Sequence, residues 1–212
     1  MKTAQLFPTI GLEVAGPAAM FARPDTGVTP ISYPVPTYSA AKGMFEAVAR
    51  KTNIYIDPIR IEICKPIRHW RYITNYGGPL RKPGQVTENN NYQLIATILV
   101  DVHYRIHARL KEKQRSGQRK MNYVEEFKKE FEHRLQEGQT FYTPCLGWKE
   151  FAPTYFGRLR PETEPDRNVN LVIPSLLHSM WSNQCLCPTY RQNWEIVSGV
   201  MSYEQRRPPD VE

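Results

Sequence analysis

The clearest pattern in the sequence is an alternation of apolar and basic residues between about Ile98 and Lys111. Successive side chains of a strand point to opposite faces, so the alternation predicts a long β-strand with one apolar and one cationic face. The apolar positions are Val102, Tyr104, Ile106, Ala108 and Leu110. The basic positions, which we call the basic stripe, are His103, Arg105, His107, Arg109 and Lys111. We expect the first set in a core and the second at the surface.

Two shorter alternations, at Ile10–Val14 and Ile59–Cys64, predict further strands. Residues 16–36 are rich in Pro and Gly, and residues 76–91 are rich in Gly, Pro and Asn, so both segments are expected to be loops. The aromatic segment after Gly138 is broken by Pro and Gly, which favours short strands. The remaining tail has no long periodicity.

Two segments have the spacing of amphipathic helices. The first is expected to begin at a cap on Thr37 or Ser39 and to end near Arg50. Its apolar positions are Ala41, Met44, Phe45 and Val48. The second is expected from about Asn122 to Gln136, with Gly138 placed as its C-cap. Its apolar positions are Phe127, Phe131 and Leu135.

The order of these elements is strand, helix, strand, strand, helix, strand. This order predicts an α+β protein with a ferredoxin-like sheet and helices on one face. The 212 residues are enough for one large domain, or for one domain with a small appendage. A chain of this length buries a core without the help of disulfides or metals.

The charge is strongly positive, +7 with a pI near 9.2, which favours nucleic acid or an anionic membrane surface as a partner. Residues 50–82 hold eight basic and two acidic residues, and residues 105–120 hold seven basic residues and one acidic residue. Aromatic residues lie among them: Trp70, Tyr72, Tyr76 and Tyr104. Rings beside cations suit single-stranded RNA, whose unstacked bases lie on side chains. The alternative is a solvated basic face with aromatic residues in the core.

Cysteine and hydropathy patterns indicate an intracellular protein. The four cysteines are irregularly spaced, which argues against a disulfide framework or a zinc site. There is no apolar run of about 18 residues, so no membrane helix is expected. Pro8 and Glu13 interrupt any signal-peptide core, so we expect a cytoplasmic protein without membrane contact.

The sequence contains none of the common nucleotide-binding, hydrolase or zinc-protease motifs. His103 and His107 would lie roughly 13 Å apart on one strand, so no metal site is expected. His133, near Lys128 on the second predicted helix, is a candidate for acid–base chemistry, and Lys120 and Tyr123 lie one or two turns earlier. The alternative is that His133 is an ordinary exposed helix residue.

Residues 32–46 read SYPVPTYSAAKGMFE, and here the chain resembles the fifth CRISPR-associated (Cas) protein family in its type I-C form. The family hallmark is a phrase like SYPVPTxSAAKGxxEA, which follows a strand ending G-x-x-A-x-F-x-R-P. That lead-in is present at 16–24, and further matches are IEICKPI at 61–67, LVDVHYRIHA at 99–108 and GQTFYTPCLGWKEF at 138–151. The matches occur in the family's order over most of residues 10–156.

The resemblance implies a ferredoxin-like (RRM-like, RAMP) domain over residues 1–156 and a C-terminal β-rich extension over 157–212. It implies a subunit that binds the 5′ repeat-derived handle of the CRISPR RNA (crRNA), or its precursor, within a Cascade complex. The implied partners are the Cascade backbone and large subunits, with target DNA reached only through the assembled complex. No cofactor is implied.

The resemblance also implies metal-independent cleavage of precursor crRNA, in which a 2′-hydroxyl attacks the adjacent phosphate. The family's catalytic set is a Tyr or His on the first helix and a Lys-His pair that opens the second helix. These positions fall on Ala49 and near Glu126 and Phe127, so this chain departs from the pattern. The nearest substitutes are Lys120, Tyr123, Lys128 and His133.

Basic and aromatic positions in the matched segments are the candidate RNA contacts. They are Tyr33, Lys42, Arg50, Lys51, Arg68, Arg71, Arg105, His107, Arg109, Lys111, Lys113 and Arg115. Two alternatives stay open at this point. One is a purely structural crRNA-capping subunit without cleavage activity, and the other is a generic basic RNA-binding protein.

Overall fold

A computed structural model describes residues 8–76, 92–112, 123–179 and 188–204, which form two helices and eight strands. The N-terminal elements are β1 (Thr9–Ala19), α1 (Tyr38–Val48), β2 (Ile54–Ile63), β3 (His69–Tyr76) and β4 (Tyr92–Glu112). The later elements are α2 (Tyr123–Gln136), β5 (Tyr155–Gly157), β6 (Leu171–Ser179), β7 (Thr189–Val197) and β8 (Val200–Ser202). The protein is therefore mixed α and β, as the sequence predicts.

The strands form one antiparallel sheet in the order β5-β1-β4-β2-β8-β7-β6, and β3 also pairs with β4. The 21-residue strand β4 is the centre, because it bonds β1, β2 and β3. Its predicted alternation is confirmed, since the five apolar positions of residues 102–110 are buried and the basic positions between them are partly exposed. The strand begins earlier than predicted because residues 92–99 pair with β3.

Strand β1 continues to Ala19, so the predicted loop begins about four residues too early. Pro17 lacks a backbone N–H, yet it lies within this strand. The pairing passes from Gly16 opposite Val102 to Ala18 opposite Val100, and Asp101 between them has a φ of 53°. This local irregularity lets the strand accommodate a residue that cannot donate to the ladder.

Helix α1 begins as predicted. The Oγ1 of Thr37 accepts a hydrogen bond from the backbone N–H of Ala40 at 3.2 Å, which caps the first turn. The predicted apolar face is buried, and Phe45 packs against Phe131 of α2 with ring centroids 5.8 Å apart. The helix ends at Val48 because Ala49 adopts an extended backbone.

Helix α2 also has its predicted bounds and C-cap. Its apolar face, Phe127, Phe131 and Leu135, points into the core. Gly138 has a φ of +66°, and the next N–H, that of Gln139, donates to the carbonyl of Arg134 at 2.8 Å. A left-handed residue just past the helix is the usual way to satisfy the last carbonyls.

Residues 139–154 are irregular, and the expected short strands reduce to β5. This segment packs on the end of β1, where the N–H of Met20 donates to the carbonyl of Leu146 at 2.9 Å. Gly147 has a φ of +92°, and a Cβ there would lie 1.8 Å from the carbonyl oxygen of Met20. Only glycine fits this close approach.

The C-terminal strands extend the same sheet, because β8 pairs with β2. Trp194 and Tyr203 are buried in the common core, and the hydroxyl of Tyr203 donates to the carbonyl of Pro36 at 2.8 Å. The C-terminal β region therefore packs directly on the N-terminal elements. The domain boundary after residue 156 stays a prediction. Neither helix in the described ranges has the length and apolar character that crossing a bilayer requires.

We predict that Gly147→Ala destabilises the fold by about 3 kcal/mol, because the new Cβ meets the Met20 carbonyl and because alanine disfavours a positive φ. The matched control is Gly43→Ala in α1, where a Cβ meets no atom within 4 Å. That change should stabilise the protein by up to about 1 kcal/mol. Chemical denaturation measures both, and equal unfolding free energies for the two variants would contradict the prediction.

Candidate nucleic-acid interface

The basic stripe lies on the face of β4 opposite the buried apolar positions, but carboxylates pair with all of its members. The pairs are His103 with Glu13, Arg105 and His107 with Glu62, Arg109 with Glu204, and Lys111 with Asp57. The carboxylates come from β1, β2 and the end of β8. Much of the stripe's charge is therefore neutralised within the chain, which the alternation on β4 did not reveal.

Glu13 is completely buried and is the most highly coordinated carboxylate of this network. It accepts hydrogen bonds from His103 Nε2 at 2.8 Å, Thr163 Oγ1 at 3.0 Å, and both the backbone N and the side chain of Arg160. Burial alone would raise the pKa of Glu13. These hydrogen bonds outweigh burial and lower its pKa below the ordinary value, so Glu13 is a carboxylate at neutral pH.

Glu62 has a similar role on the other side of β4. It is 5 % exposed and accepts from Arg105 Nη1 at 2.9 Å, Arg60 Nη2 at 2.5 Å and His107 Nε2 at 3.2 Å. Burial and the neighbouring Arg60 lower the pKa of His107, although Glu62 opposes the shift. His107 is therefore neutral at pH 7 and adds no charge to the stripe.

Three of the predicted RNA contacts are exposed arginines without a carboxylate partner among the described residues: Arg50, Arg68 and Arg71. Arg68 and Arg71 flank Trp70, whose side chain is 66 % exposed. We call Arg68, His69, Trp70, Arg71 and Ile73, all exposed, the β3 surface. Trp70 and Arg71 are consecutive residues of the strand, so their side chains lie on opposite faces of it. Exposed arginines and an exposed ring on one strand are residue types that bind single-stranded nucleic acid.

Most of the described aromatic residues that the sequence suggests for contact with RNA are buried rather than exposed. Tyr33 is 2 % exposed, and its hydroxyl accepts from the N–H of Leu177 at 3.2 Å, so its expected contact with RNA is wrong. Burial raises the pKa of Tyr33. Tyr104 is also a core residue, and Tyr72 packs edge-to-face on Phe151. Among the aromatic residues near the basic blocks whose side chains the structure describes, Trp70 is therefore the exposed one.

Two predicted lysine contacts take part in intramolecular pairs. Lys51 Nζ lies 2.6 Å from Glu130 of α2, and it lowers the pKa of that carboxyl. Lys42 Nζ lies 3.6 Å from Glu46 and 4.5 Å from the centre of the Tyr55 ring. Both lysines stay partly exposed. The predicted contacts Lys113 and Arg115 lie outside the described residues, as does the predicted catalytic residue Lys120.

The other predicted catalytic residues, Tyr123, Lys128 and His133, do not converge. They lie five residues apart along α2, so each is rotated by about 140° from the one before. Lys128 is 4.0 Å from Glu132, and His133 is exposed. The family's aligned positions are also unsuitable, because Ala49 and Phe127 are buried in the core.

Glu13 and Glu62 are the important residues that sequence reasoning missed. Each stands between apolar residues of a predicted strand, in GLEVA and RIEIC, but only the pairing with β4 gives them a role. Within the described ranges, no group of three or more His, Cys, Asp or Glu side chains is arranged to hold a metal ion.

The family model for the CRISPR-associated protein Cas5d matches residues 9–183 of the chain. The chain belongs to the Cas5d family. A CRISPR pre-crRNA endoribonuclease Cas5d of Thermus thermophilus is 32 % identical over 171 residues, which cover 80 % of this chain and 72 % of the relative. A protein of the same name from Mannheimia succiniciproducens is 32 % identical over 164 residues, covering 69 % of this chain and 71 % of the relative.

Solved structures confirm that this Cas5d chain has a known architecture. A crystal structure of a CRISPR-associated protein superposes with a TM-score of 0.70 at 17 % identity, covering 97 % of this chain and 96 % of that one. A chain of a CRISPR RNA-guided surveillance complex superposes with a TM-score of 0.55 at 13 % identity, covering 92 % and 91 %. At these identities the likeness concerns the fold.

We predict that Glu13→Gln destabilises this Cas5d chain by about 3 kcal/mol, because it leaves buried donors without their charged partner. The effect depends on pH. Folding lowers the pKa of Glu13. The carboxylate of Glu13 therefore makes its full contribution to the free energy of unfolding above the unfolded-state pKa of about 4.3. That contribution is lost as the pH falls through the folded-state pKa.

The measurement is urea denaturation of both proteins between pH 3 and pH 7, with exposed Glu150→Gln as the control. The stability gap between wild type and Glu13→Gln should narrow in acid, and the control should follow the wild type throughout. A gap that stays constant with pH would contradict the assigned ionisation.

Proposed function

We propose that this Cas5d chain binds the 5′ repeat-derived handle of crRNA as a subunit of a Cascade complex. The observation that carries the proposal is the β3 surface, where exposed Arg68 and Arg71 have no carboxylate partner among the described residues and lie close to exposed Trp70 in the sequence. Free guanidinium groups neutralise phosphates, and the indole offers a stacking surface for an unpaired base. The names of the two curated relatives support RNA of this class as the ligand.

The arrangement of the first five elements of the sheet supports the ferredoxin-like, RAMP-type assignment. The order β5-β1-β4-β2 places a late strand beside β1 and interleaves β4 between β1 and β2. Helix α1 connects β1 to β2, and α2 connects β4 to β5. This is the βαββαβ connectivity of a ferredoxin-like domain, with β3 added on β4.

The partners follow from the same proposal. The chain would join Cascade backbone and large subunits in the cytoplasm, and it would meet target DNA only through the assembled complex. Sequence specificity for that DNA comes from pairing with the guide, and the protein subunits read backbone and shape. Strands β6, β7 and β8 belong to the C-terminal extension that we propose for residues 157–212.

The basic stripe is the second candidate RNA surface, and a pair of variants separates it from the β3 surface. Arg68→Ala/Arg71→Ala should weaken binding of a labelled repeat RNA and reduce the salt slope by roughly 0.7 for each lost phosphate contact. The unfolding free energy of this variant should not change, because neither arginine pairs with a carboxylate in the part of the chain that the structure describes. Arg158→Ala/Arg167→Ala removes the same charge from other exposed positions and serves as the control.

The stripe variant Arg105→Ala/Arg109→Ala/Lys111→Ala should mainly lower stability, because it removes Arg105 from buried Glu62, which keeps Arg60, and removes the lysine that pairs with Asp57. Gel shifts at several salt concentrations and urea denaturation measure the two effects separately. If the stripe variant loses RNA affinity while folded and the β3 variant binds normally, RNA binds at the stripe. Normal affinity in both variants would refute both surfaces.

Trp70→Ala should weaken the same RNA by about 1–3 kcal/mol if a base stacks on the indole, which corresponds to roughly a 5- to 150-fold change in the dissociation constant. Trp70→Phe keeps an aromatic face and should recover part of the affinity. Equal affinities of wild type and Trp70→Ala would show that the ring does not contact RNA.

A further inference from the structure

The outward face of the C-terminal strands carries exposed apolar side chains. Ile196 of β7 points into the core, so its neighbours Glu195 and Val197 point outward. Val197 is 59 % exposed and lies directly opposite Val200 of β8. On the other side of β7, Val172 of β6 is 52 % exposed and lies opposite Glu195. The three valines therefore form one apolar patch across three strands.

A tight turn between β7 and β8 holds this patch in place. Ser198 has a φ of 49° and Gly199 has a φ of 76°, which is the backbone of a two-residue hairpin turn. The N–H of Gly199 donates to the carbonyl of Val169 at 2.8 Å, and its carbonyl accepts from the N–H of Ile63 at 2.7 Å. The turn is thus anchored on both sides, so the valines that flank it are positioned before any partner binds.

The patch borders an open groove of about 620 Å³, which we call the valine groove. Val197 and Val200 line it together with the carboxylates Glu195 and Glu204, and none of the described residues of its lining is Lys or Arg. Its volume is that of a ligand site, but an open groove suits a segment of another chain better than an enclosed small molecule. Contiguous apolar side chains at a surface are typical of interaction sites.

The charge of the valine groove is opposite to that of the whole chain. Glu195 is exposed and has no cationic partner among the described residues. Glu204 pairs with Arg109, but about half of its side chain stays exposed. Arg60 on the adjacent strand β2 pairs with buried Glu62 and is therefore already neutralised. Carboxylates repel phosphates, so the groove disfavours RNA and favours a cationic occupant.

The same charge argues against a second copy of this chain as the occupant. A twofold axis at the groove would bring Glu195 and Glu204 of one copy against the same carboxylates of the other. Like charges opposite each other are unfavourable in an interface. A different protein that presents a cation beside apolar side chains would satisfy both the carboxylates and the valines.

We propose that the valine groove docks a segment of another protein that presents a Lys or Arg beside small apolar side chains. The cation pairs with Glu195, and the apolar side chains cover Val172, Val197 and Val200. The inference rests on the proposed function, because it takes this segment from another protein subunit of the Cascade complex. RNA and the protein segment then use different strands, β3 for the first and β6 to β8 for the second.

Photo-cross-linking identifies the occupant. The full chain with Val197→p-benzoylphenylalanine is assembled with crRNA and the purified protein subunits of its own complex, irradiated and analysed by mass spectrometry. The expected product joins residue 197 to a peptide of another subunit that contains Lys or Arg. Adding Glu195→Lys should lower the yield of this product at least fivefold. Val28→p-benzoylphenylalanine, at a position that is 93 % exposed, is the matched control and should not give the product.

Affinity measurements separate the charge of the groove from its apolar patch. Glu195→Lys and Val172→Thr/Val197→Thr should each weaken association with the other subunits by about tenfold or more in biolayer interferometry. Glu195→Gln should reduce the salt dependence of association, because it removes the charge and keeps the shape. Glu150→Lys and Val28→Thr make the same changes at other exposed positions and should associate normally.

Two further measurements show that the groove variants are otherwise intact. Their affinities for a labelled repeat RNA should stay within about threefold of wild type, because the altered side chains lie away from the β3 surface. Their urea midpoints should stay close to that of wild type, because the substituted residues are exposed and threonine keeps the β-branched shape of valine.

Several outcomes overturn the inference. A cross-link from residue 197 to crRNA, to a second copy of this chain or to a segment without Lys or Arg contradicts the assigned occupant, and no cross-link at all excludes contact. Normal association of Glu195→Lys and of the valine variant refutes the valine groove while the proposed function stands. A wild-type chain that neither binds the repeat RNA nor joins the other subunits refutes the proposed function and this inference together.

Discussion

Two carboxylates buried on the polar face of the sheet fix the centre of this protein. Glu13 of β1 and Glu62 of β2 lie on opposite sides of β4. Glu13 accepts hydrogen bonds from the side chains of His103 and Arg160, and Glu62 accepts one from Arg105. A buried carboxylate without such partners costs several kcal/mol, so β4 must stay in register with both neighbours. Glu13 also accepts a hydrogen bond from the backbone N–H of Arg160, which holds the segment after β5 against β1.

This network changes how the positive charge of the chain is interpreted. A net charge of +7 and two basic blocks indicate an anionic partner, but they do not show which cations are available to it. The cations on β4 lie against carboxylates and help to hold the fold, whereas Arg68 and Arg71 are exposed, just before and on strand β3. The same residue type thus has two roles, and pairing with neighbouring strands decides between them.

Local patterns in the sequence were sufficient for the elements that depend on local interactions. The cap at Thr37, the left-handed Gly138 and the alternation along β4 were all predicted correctly. The sequence did not identify β3, because HWRYITNY becomes a strand by pairing with residues 92–99. Carboxylate partners were missed for the same reason, since residues 13 and 103 are far apart in the chain but lie diagonally across neighbouring strands of the sheet.

Ala49, which follows the last residue of α1, is a small residue buried in the core. Ala49 is 2 % exposed, and its extended backbone ends the helix against the core. A larger side chain there would displace close-packed neighbours, at a cost of about 1–3 kcal/mol. The opposite end of the same helix has no such restriction, because Tyr38 and Lys42 lie at a partly exposed meeting point of β2, β4 and β6.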